Sequence, residues 1–139
     1  MENTLYIVDD HSIVRYGLKD WLETNSSWKV EKSYSNSEEC LAQLKALGKK
    51  SPLLPEIIII DVQLVDETGF NLCKEITKSY KNIKCVMYSM YNTSGYVLQA
   101  MESGAVGYIS KIASEQELLN CLEVVKSGKE YIEETHKDA

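Results

Sequence analysis

Residues 55–69, PEIIIIDVQLVDETG, decide the fold. Four consecutive isoleucines, Ile57 to Ile60, run directly into Asp61. A short β-branched run without polar alternation fits a strand buried on both faces, as in a parallel sheet covered by helices. A carboxylate is poorly tolerated inside such a core, so Asp61 is expected just past the strand's carboxyl end. In open α/β sheets that is where the ligand crevice lies.

Working outward, the chain alternates between the two periodicities. Toward the N-terminus, Leu5 to Val8 form a short apolar strand ending at Asp9, Asp10 and His11. Helical spacing follows over 12–24, with Ile13, Tyr16, Trp21 and Leu22 expected inward. Gly17 in that helix suggests close packing. Residues 28–34 alternate and read as an edge strand. Ser37 is the expected N-cap of a second helix, whose apolar face is Leu41, Leu44 and Leu47 and whose stop is Gly48.

Toward the C-terminus, a third helix is expected over 69–80, facing inward through Phe70, Cys73 and Ile76. A fourth strand, 84–89, ends at Ser89. A fourth helix runs from about Thr93 to a stop at Gly104, with Val97, Ala100 and Met101 on one face. Residues 106–109 form a fifth strand, followed by Ser110 and Lys111. Ser114 and Glu117 match a capping box ahead of a fifth helix ending near Gly128. The charged tail is expected to fray beyond Ile132. Strands and helices in alternation predict an α/β doubly wound, five-stranded parallel sheet with helices on both faces. The domain spans 1–132, with 133–139 as a linker or frayed tail.

Composition narrows the function classes. The chain has 139 residues, 44% hydrophobic and 26% charged, with a formal net charge of -6. One domain with a proper core is expected. The acidic balance argues against holding nucleic acid by phosphate neutralisation and suits binding a cation. The N-terminus lacks the basic start and apolar run of a signal peptide, and no apolar run could span a bilayer, so a soluble, cytoplasmic protein with no membrane contact is expected. Cys40, Cys73, Cys85 and Cys121 are widely spaced, with no CxxC pair, and read as buried reduced thiols.

The strand ends collect chemistry at one rim. The first contributes Asp9 and Asp10, the third Asp61, the fourth Ser89 and the fifth Lys111. Singly, each has an ordinary reading: a turn or helix cap for the acids, a turn hydroxyl for Ser89, a solvated surface group for Lys111. Together they define a site. Two carboxylates at ~5 Å and an effective dielectric of ~20 repel by about 3 kcal/mol. Three such pairs rival a domain's net stability of ~5–15 kcal/mol. Either one acid stays protonated or a cation sits among them. Few hard oxygens, with room for water and a phosphate, suit Mg2+. An Asp beside a divalent cation, a lysine and a hydroxyl can accept a phosphoryl group.

These residues resemble the receiver domain of bacterial two-component response regulators, over about 4–132. The stretches VDDHSIVRYGL (8–18) and GAVGYISK (104–111) are similar to the LuxR-type, helix-turn-helix branch. The resemblance implies the flavodoxin-like (βα)5 fold. It implies Asp61 as phosphoacceptor and Mg2+ held by Asp10, Asp61 and the Gln63 backbone carbonyl, with Asp9 assisting through water. Lys111 would contact the phosphoryl group, Ser89 and Tyr108 would act as the switch pair, and Gln63 and Tyr91 would tune hydrolysis. It also implies a histidine kinase as donor and a homodimer contact through the fourth helix, fifth strand and fifth helix. DNA would be reached only through an output domain outside these residues, which makes an excised receiver the favoured reading over a stand-alone one.

One departure is visible: Leu64 and Val65 stand where the family usually has Met-Pro. Losing the proline frees the loop and gives Val65 an N–H to satisfy. Two other readings compete. A pseudo-receiver, purely an interaction module, would have no need of all five rim residues. A phosphatase with Asp61 as nucleophile wants a second acid two residues on, where Gln63 cannot titrate.

Overall fold

All four isoleucines of the run are fully buried, and they divide between two cores. The computed structural model describes residues 3–90 and 93–132. In chain order its elements are β1 (Asn3–Val8), α1 (Ser12–Asn25), β2 (Trp28–Tyr34), α2 (Ser37–Leu47), β3 (Ile57–Asp61), α3 (Gly69–Ser79), β4 (Lys84–Ser89), α4 (Ser94–Glu102), β5 (Gly107–Ser110), α5 (Glu115–Lys126) and β6 (Tyr131–Ile132). The sheet is parallel throughout, in the order β2-β1-β3-β4-β5-β6.

Successive side chains on a strand point to opposite faces. Ile58 and Ile60 join Tyr6, Val8, Met87 and Tyr108 beneath α2, α3 and α4. Ile57 and Ile59 join Leu5, Ile7, Val86 and Ile109 beneath α1 and α5. Neither face of β3 can accept a polar residue, which explains the unbroken run. Each such side chain contributes about 1.5–3 kcal/mol on burial.

The strand order reverses between β1 and β3, so the crevice beyond their carboxyl ends opens there. Asp9 follows one of these strands and Asp61 ends the other.

Several sequence expectations need correction. The sheet has six strands, not five: Tyr131 and Ile132 pair in parallel with Gly107 and Tyr108. Two residues are too few to show a period, so β6 had no sequence signal. In α1 the inward expectation holds for Trp21 and Leu22 and fails for Ile13 and Tyr16. Leu18 and Leu22 are buried, with Val14 and Trp21 packed beside them, while Ile13 is 85% exposed and Tyr16 64%. Gly17 is not a close-packing point, since a Cβ there would meet nothing within 4 Å. The N-cap of α2 is Asn36, whose side chain accepts from the Glu39 N–H at 2.9 Å. Ser37 is the first helical residue.

Other expectations hold. β2 is an edge strand. Ser114 Oγ caps α5 by accepting from the Glu117 N–H at 3.1 Å. All four cysteines are buried and free. The segment 133–139 lies outside the described residues.

Candidate functional site

The site is assembled by the carboxyl ends of β1, β3, β4 and β5 and by the loop that follows β3. Asp9 leaves β1 with its N–H donating to the Tyr34 carbonyl at 3.0 Å, which ties the turn to the edge strand. Its carbonyl accepts from Arg15 Nη1 at 2.6 Å, and its Oδ1 accepts from the His11 N–H at 2.8 Å. These bonds hold a buried carboxylate aimed into the crevice. Asp61 is fixed as closely: its Oδ1 accepts from the Gln63 N–H at 3.1 Å.

Lys111 joins the two acids. Its Nζ lies 2.9 Å from Asp9 Oδ2 and 3.0 Å from Asp61 Oδ2, with the side chain only 8% exposed. The Lys111 N–H donates to the Ser89 carbonyl at 2.8 Å, so the fourth and fifth strand ends are locked together beside the acids. The Lys111 ammonium also lies 5.7 Å from the centre of the Tyr88 ring. Ser89 is buried at this rim. Tyr108 lies deeper in β5, with no exposed surface, in the core cluster that also holds Met87 and Ala100. Tyr91 lies outside the described residues.

The electrostatics are those of crowded, buried acids. Burial raises the Asp61 pKa, the neighbouring Asp9 charge raises it further, and Lys111 and the Gln63 N–H only partly oppose this. Burial pushes the Lys111 ammonium down, but hydrogen bonds to Asp9 and Asp61 outweigh it and leave its pKa above the ordinary value. Burial first, then the Asp9, Glu115 and Asp61 charges, push the Tyr88 hydroxyl up to about 12.

One ammonium does not neutralise three carboxylates. Asp9 Oδ2 and Asp10 Oδ1 are buried oxygens that meet the Lys111 ammonium at 2.9 Å and His11 Nδ1 at 3.0 Å. Asp9, Asp10, His11 and Asp61 each present one ligand atom, and all four atoms lie within 4.8 Å of one another. The donor set therefore fits a divalent cation.

Sequence reasoning expected Asp9, Asp10, Asp61, Ser89 and Lys111 at one rim: the three acids present ligand atoms within 4.8 Å of one another, Lys111 pairs with Asp9 and Asp61, and Ser89 meets Lys111 through its backbone carbonyl. It missed three residues. His11 contacts both Asp9 and Asp10 through Nδ1. Arg15 holds the Asp9 carbonyl, and no local pattern marks it. Asp66 bonds to the first turn of α2, and no local pattern marks it.

Comparison with known proteins agrees with this geometry. The family model described as the response regulator receiver domain matches residues 5–123. The chain belongs to that family: it is a receiver domain of two-component signalling. Within it, the chain is similar to LuxR-type transcriptional regulators. The DNA-binding transcriptional activator DevR/DosR of Mycobacterium tuberculosis is 27% identical over 93% of this chain and 57% of its own length. LnrK of Bacillus subtilis, a transcriptional regulatory protein, is 30% identical over 89% of this chain and 54% of its own. The chain thus spans about half the length of the curated relatives it matches.

Among solved structures, a LuxR-family response regulator from an Aurantimonas species superposes with a TM-score of 0.88 at 22% identity, covering 99% of this chain and 94% of that one. The isolated receiver domain of RcsB from Salmonella enterica, solved with the phosphomimetic BeF3-, gives 0.85 at 20% identity, covering 99% and 98%. Among the described residues, no helix is long and apolar enough to cross a membrane.

Proposed function

We propose that Asp61 accepts a phosphoryl group from a histidine kinase and that residues 1–132 form the switch that reads it. The observation that carries this reading is the single ammonium of Lys111 seated between Asp9 and Asp61 at the mouth of the crevice. A carboxylate oxygen of Asp61 attacks phosphorus, the bond from phosphorus to the donor's imidazole nitrogen breaks, and the imidazole departs with the electron pair. Asp9, Asp10, Asp61 and the Gln63 carbonyl would hold Mg2+, which supplies neutralising charge for the phosphoryl oxygens.

Lys111 follows the new charge, moving from a carboxylate partner to a phosphoryl oxygen, and the Ser89 hydroxyl donates to another. Tyr108 acts with Ser89 as the switch pair; the expected inward turn is already made here, where its ring has no exposed surface. The two states need differ by only a few kcal/mol for such a bias to switch them. Hydrolysis of the acyl phosphate, tuned by Gln63 and Tyr91, resets the domain. Small phosphodonors would serve in place of the kinase, and turnover would be limited to this self-modification.

The response passes through the face made by α4, β5 and α5, which would pair two copies. An output domain beyond these residues would carry DNA binding, and the whole would act in the cytoplasm. The greater length of the transcriptional regulators it resembles supports an output domain.

Incubation with acetyl phosphate and Mg2+, followed by intact mass, tests the assignment. One added phosphoryl group is expected, absent in Asp61→Asn and without Mg2+. Equal modification of both proteins would assign the acceptor elsewhere.

A further inference from the structure

We infer that Asp66 is a positioning residue for the phosphoryl-accepting site, tying the tip of the β3–α3 loop to the N-terminus of α2 and so holding the Gln63 backbone against Asp61. This rests on the reading of Asp61 as acceptor.

The loop is a small closed hairpin. At its base the Gly69 N–H donates to the Val62 carbonyl at 2.6 Å. Gln63 and Thr68 then form an antiparallel bridge, and the Leu64 N–H donates to the Glu67 carbonyl at 3.2 Å. Val65 and Asp66 form the tip. Val65 is 79% exposed and, lacking a proline ring, does not restrict φ there. Stiffness at the tip must come from a tertiary bond.

Asp66 supplies one. Its Oδ2 accepts from Ser37 Oγ at 2.8 Å and from the Glu38 N–H at 3.4 Å, and its Oδ1 accepts from the Ser37 N–H at 3.4 Å. Those two N–H groups belong to the first turn of α2, which has no partners of its own within the helix. Asn36 takes the third, from Glu39. The α2 terminus is therefore capped jointly, by its own Asn36 and by a carboxylate 28 to 29 residues away in sequence. The positive end of the helix dipole favours that charge. Slight burial opposes ionisation of Asp66, but the Ser37 and Glu38 hydrogen bonds hold its pKa below the ordinary 3.8.

The tether reaches the chemistry through a short path. The base of the hairpin is pinned because Gly69 lies against the Asp61 carbonyl, and the tip is pinned by Asp66. Between them lies Gln63, whose N–H holds Asp61 Oδ1. The same loop walls a cleft of about 690 Å³ running from Asp10 to Tyr96 and Gln99.

The test is a double-mutant cycle of Asp66→Ala with Ser37→Ala. It reads the rate of acyl phosphate formation from acetyl phosphate, its lifetime, and amide hydrogen exchange. Asp66→Ala is expected to change rate or lifetime by up to ~10-fold. It should expose the Gln63, Leu64 and Gly69 amides to exchange while those of β3 stay protected. Ser37→Ala should do the same in lesser degree, and the double variant should match Asp66→Ala alone, because the two groups share one bond. Asp66→Asn, which retains an acceptor oxygen, should recover part of the loss.

Wild-type loop exchange and phosphorylation rates in Asp66→Ala would overturn the inference, as would effects of the two substitutions that simply multiply. A purely structural role would lower the melting temperature and leave the phosphoryl kinetics unmoved, which also overturns it. If the wild-type chain takes no phosphoryl group at all, the acceptor reading and the positioning role fall together. Loop exchange then reports separately whether the tether exists.

Discussion

Gly69 lies so close to the Asp61 carbonyl that a Cβ would overlap that oxygen, with Ile60 Cγ2 only 2.9 Å away. The start of α3 is thereby pressed against the residue proposed to carry the phosphoryl group. Its backbone φ is not left-handed, so the requirement is for space and not for conformational freedom. Gly69→Ala is expected to destabilise the fold by roughly 1–3 kcal/mol, as overpacking against an unyielding backbone does. Urea unfolding checks this, and slower phosphorylation should accompany it, because the carbonyl can move only by carrying Asp61 with it.

Asp61 sets a pH dependence of definite sign. Burial and the Asp9 charge raise its folded pKa above the ordinary 3.8. The folded state then binds more protons than the unfolded one across that interval, so stability falls as pH rises through it. Asp61→Asn should therefore be more stable than the wild type at neutral pH in metal-free buffer. The gain should vanish below the ordinary carboxylate range. Mg2+ should raise the wild-type melting temperature and leave that of Asp61→Asn nearly unchanged.

Trp28 joins the edge strand β2 to α5. Its Nε1 donates to Glu123 Oε2 at 2.7 Å from a ring that is 1% exposed, and the Lys126 ammonium lies 5.9 Å from the ring centre. Glu123→Ala leaves that donor buried and unpaired and should cost about 1–3 kcal/mol by chemical denaturation. Trp28→Phe combined with Glu123→Ala should cost less than the sum of the two, since both remove one bond.

The cysteines should be silent until the fold opens. Cys40 is fully buried, and burial pushes its thiol up to about 12. All four are buried and free, so a thiol reagent should label none in the native protein and four in denaturant. Fast labelling of any one under native conditions would contradict the packing of that element.

Ile13 tests the phase of α1. It is 85% exposed, so Ile13→Asp should change stability by no more than about 0.5 kcal/mol, whereas Leu22→Ala should cost ~2–5 kcal/mol.

The division between local and tertiary information runs through these same residues. Ile57 to Ile60 specified a doubly covered strand because period-two alternation leaves no polar side on which water could be tolerated. With the strand's direction known, Asp61 had to stand at its end, and the same logic brought Asp9, Asp10, Ser89 and Lys111 to one rim. The phase of α1 was less legible. Ile13 and Val14 are both apolar and one position apart, and only packing against β1 and β3 selects Val14. The helix cap at Asn36 in place of Ser37 was decided by a donor and acceptor that a sequence window cannot rank.

What the amino-acid order determined by itself was the alternation of elements and the rim on which the acids collect, because burial pattern and chain direction are local properties. Only the tertiary structure decided that Lys111 bridges Asp9 to Asp61, that Tyr131 and Ile132 extend the sheet, and that Asp66 reaches back to Ser37. Each of these is a contact between distant positions, made by hydrogen bonds of a few ångströms that exist only once the chain has closed around them.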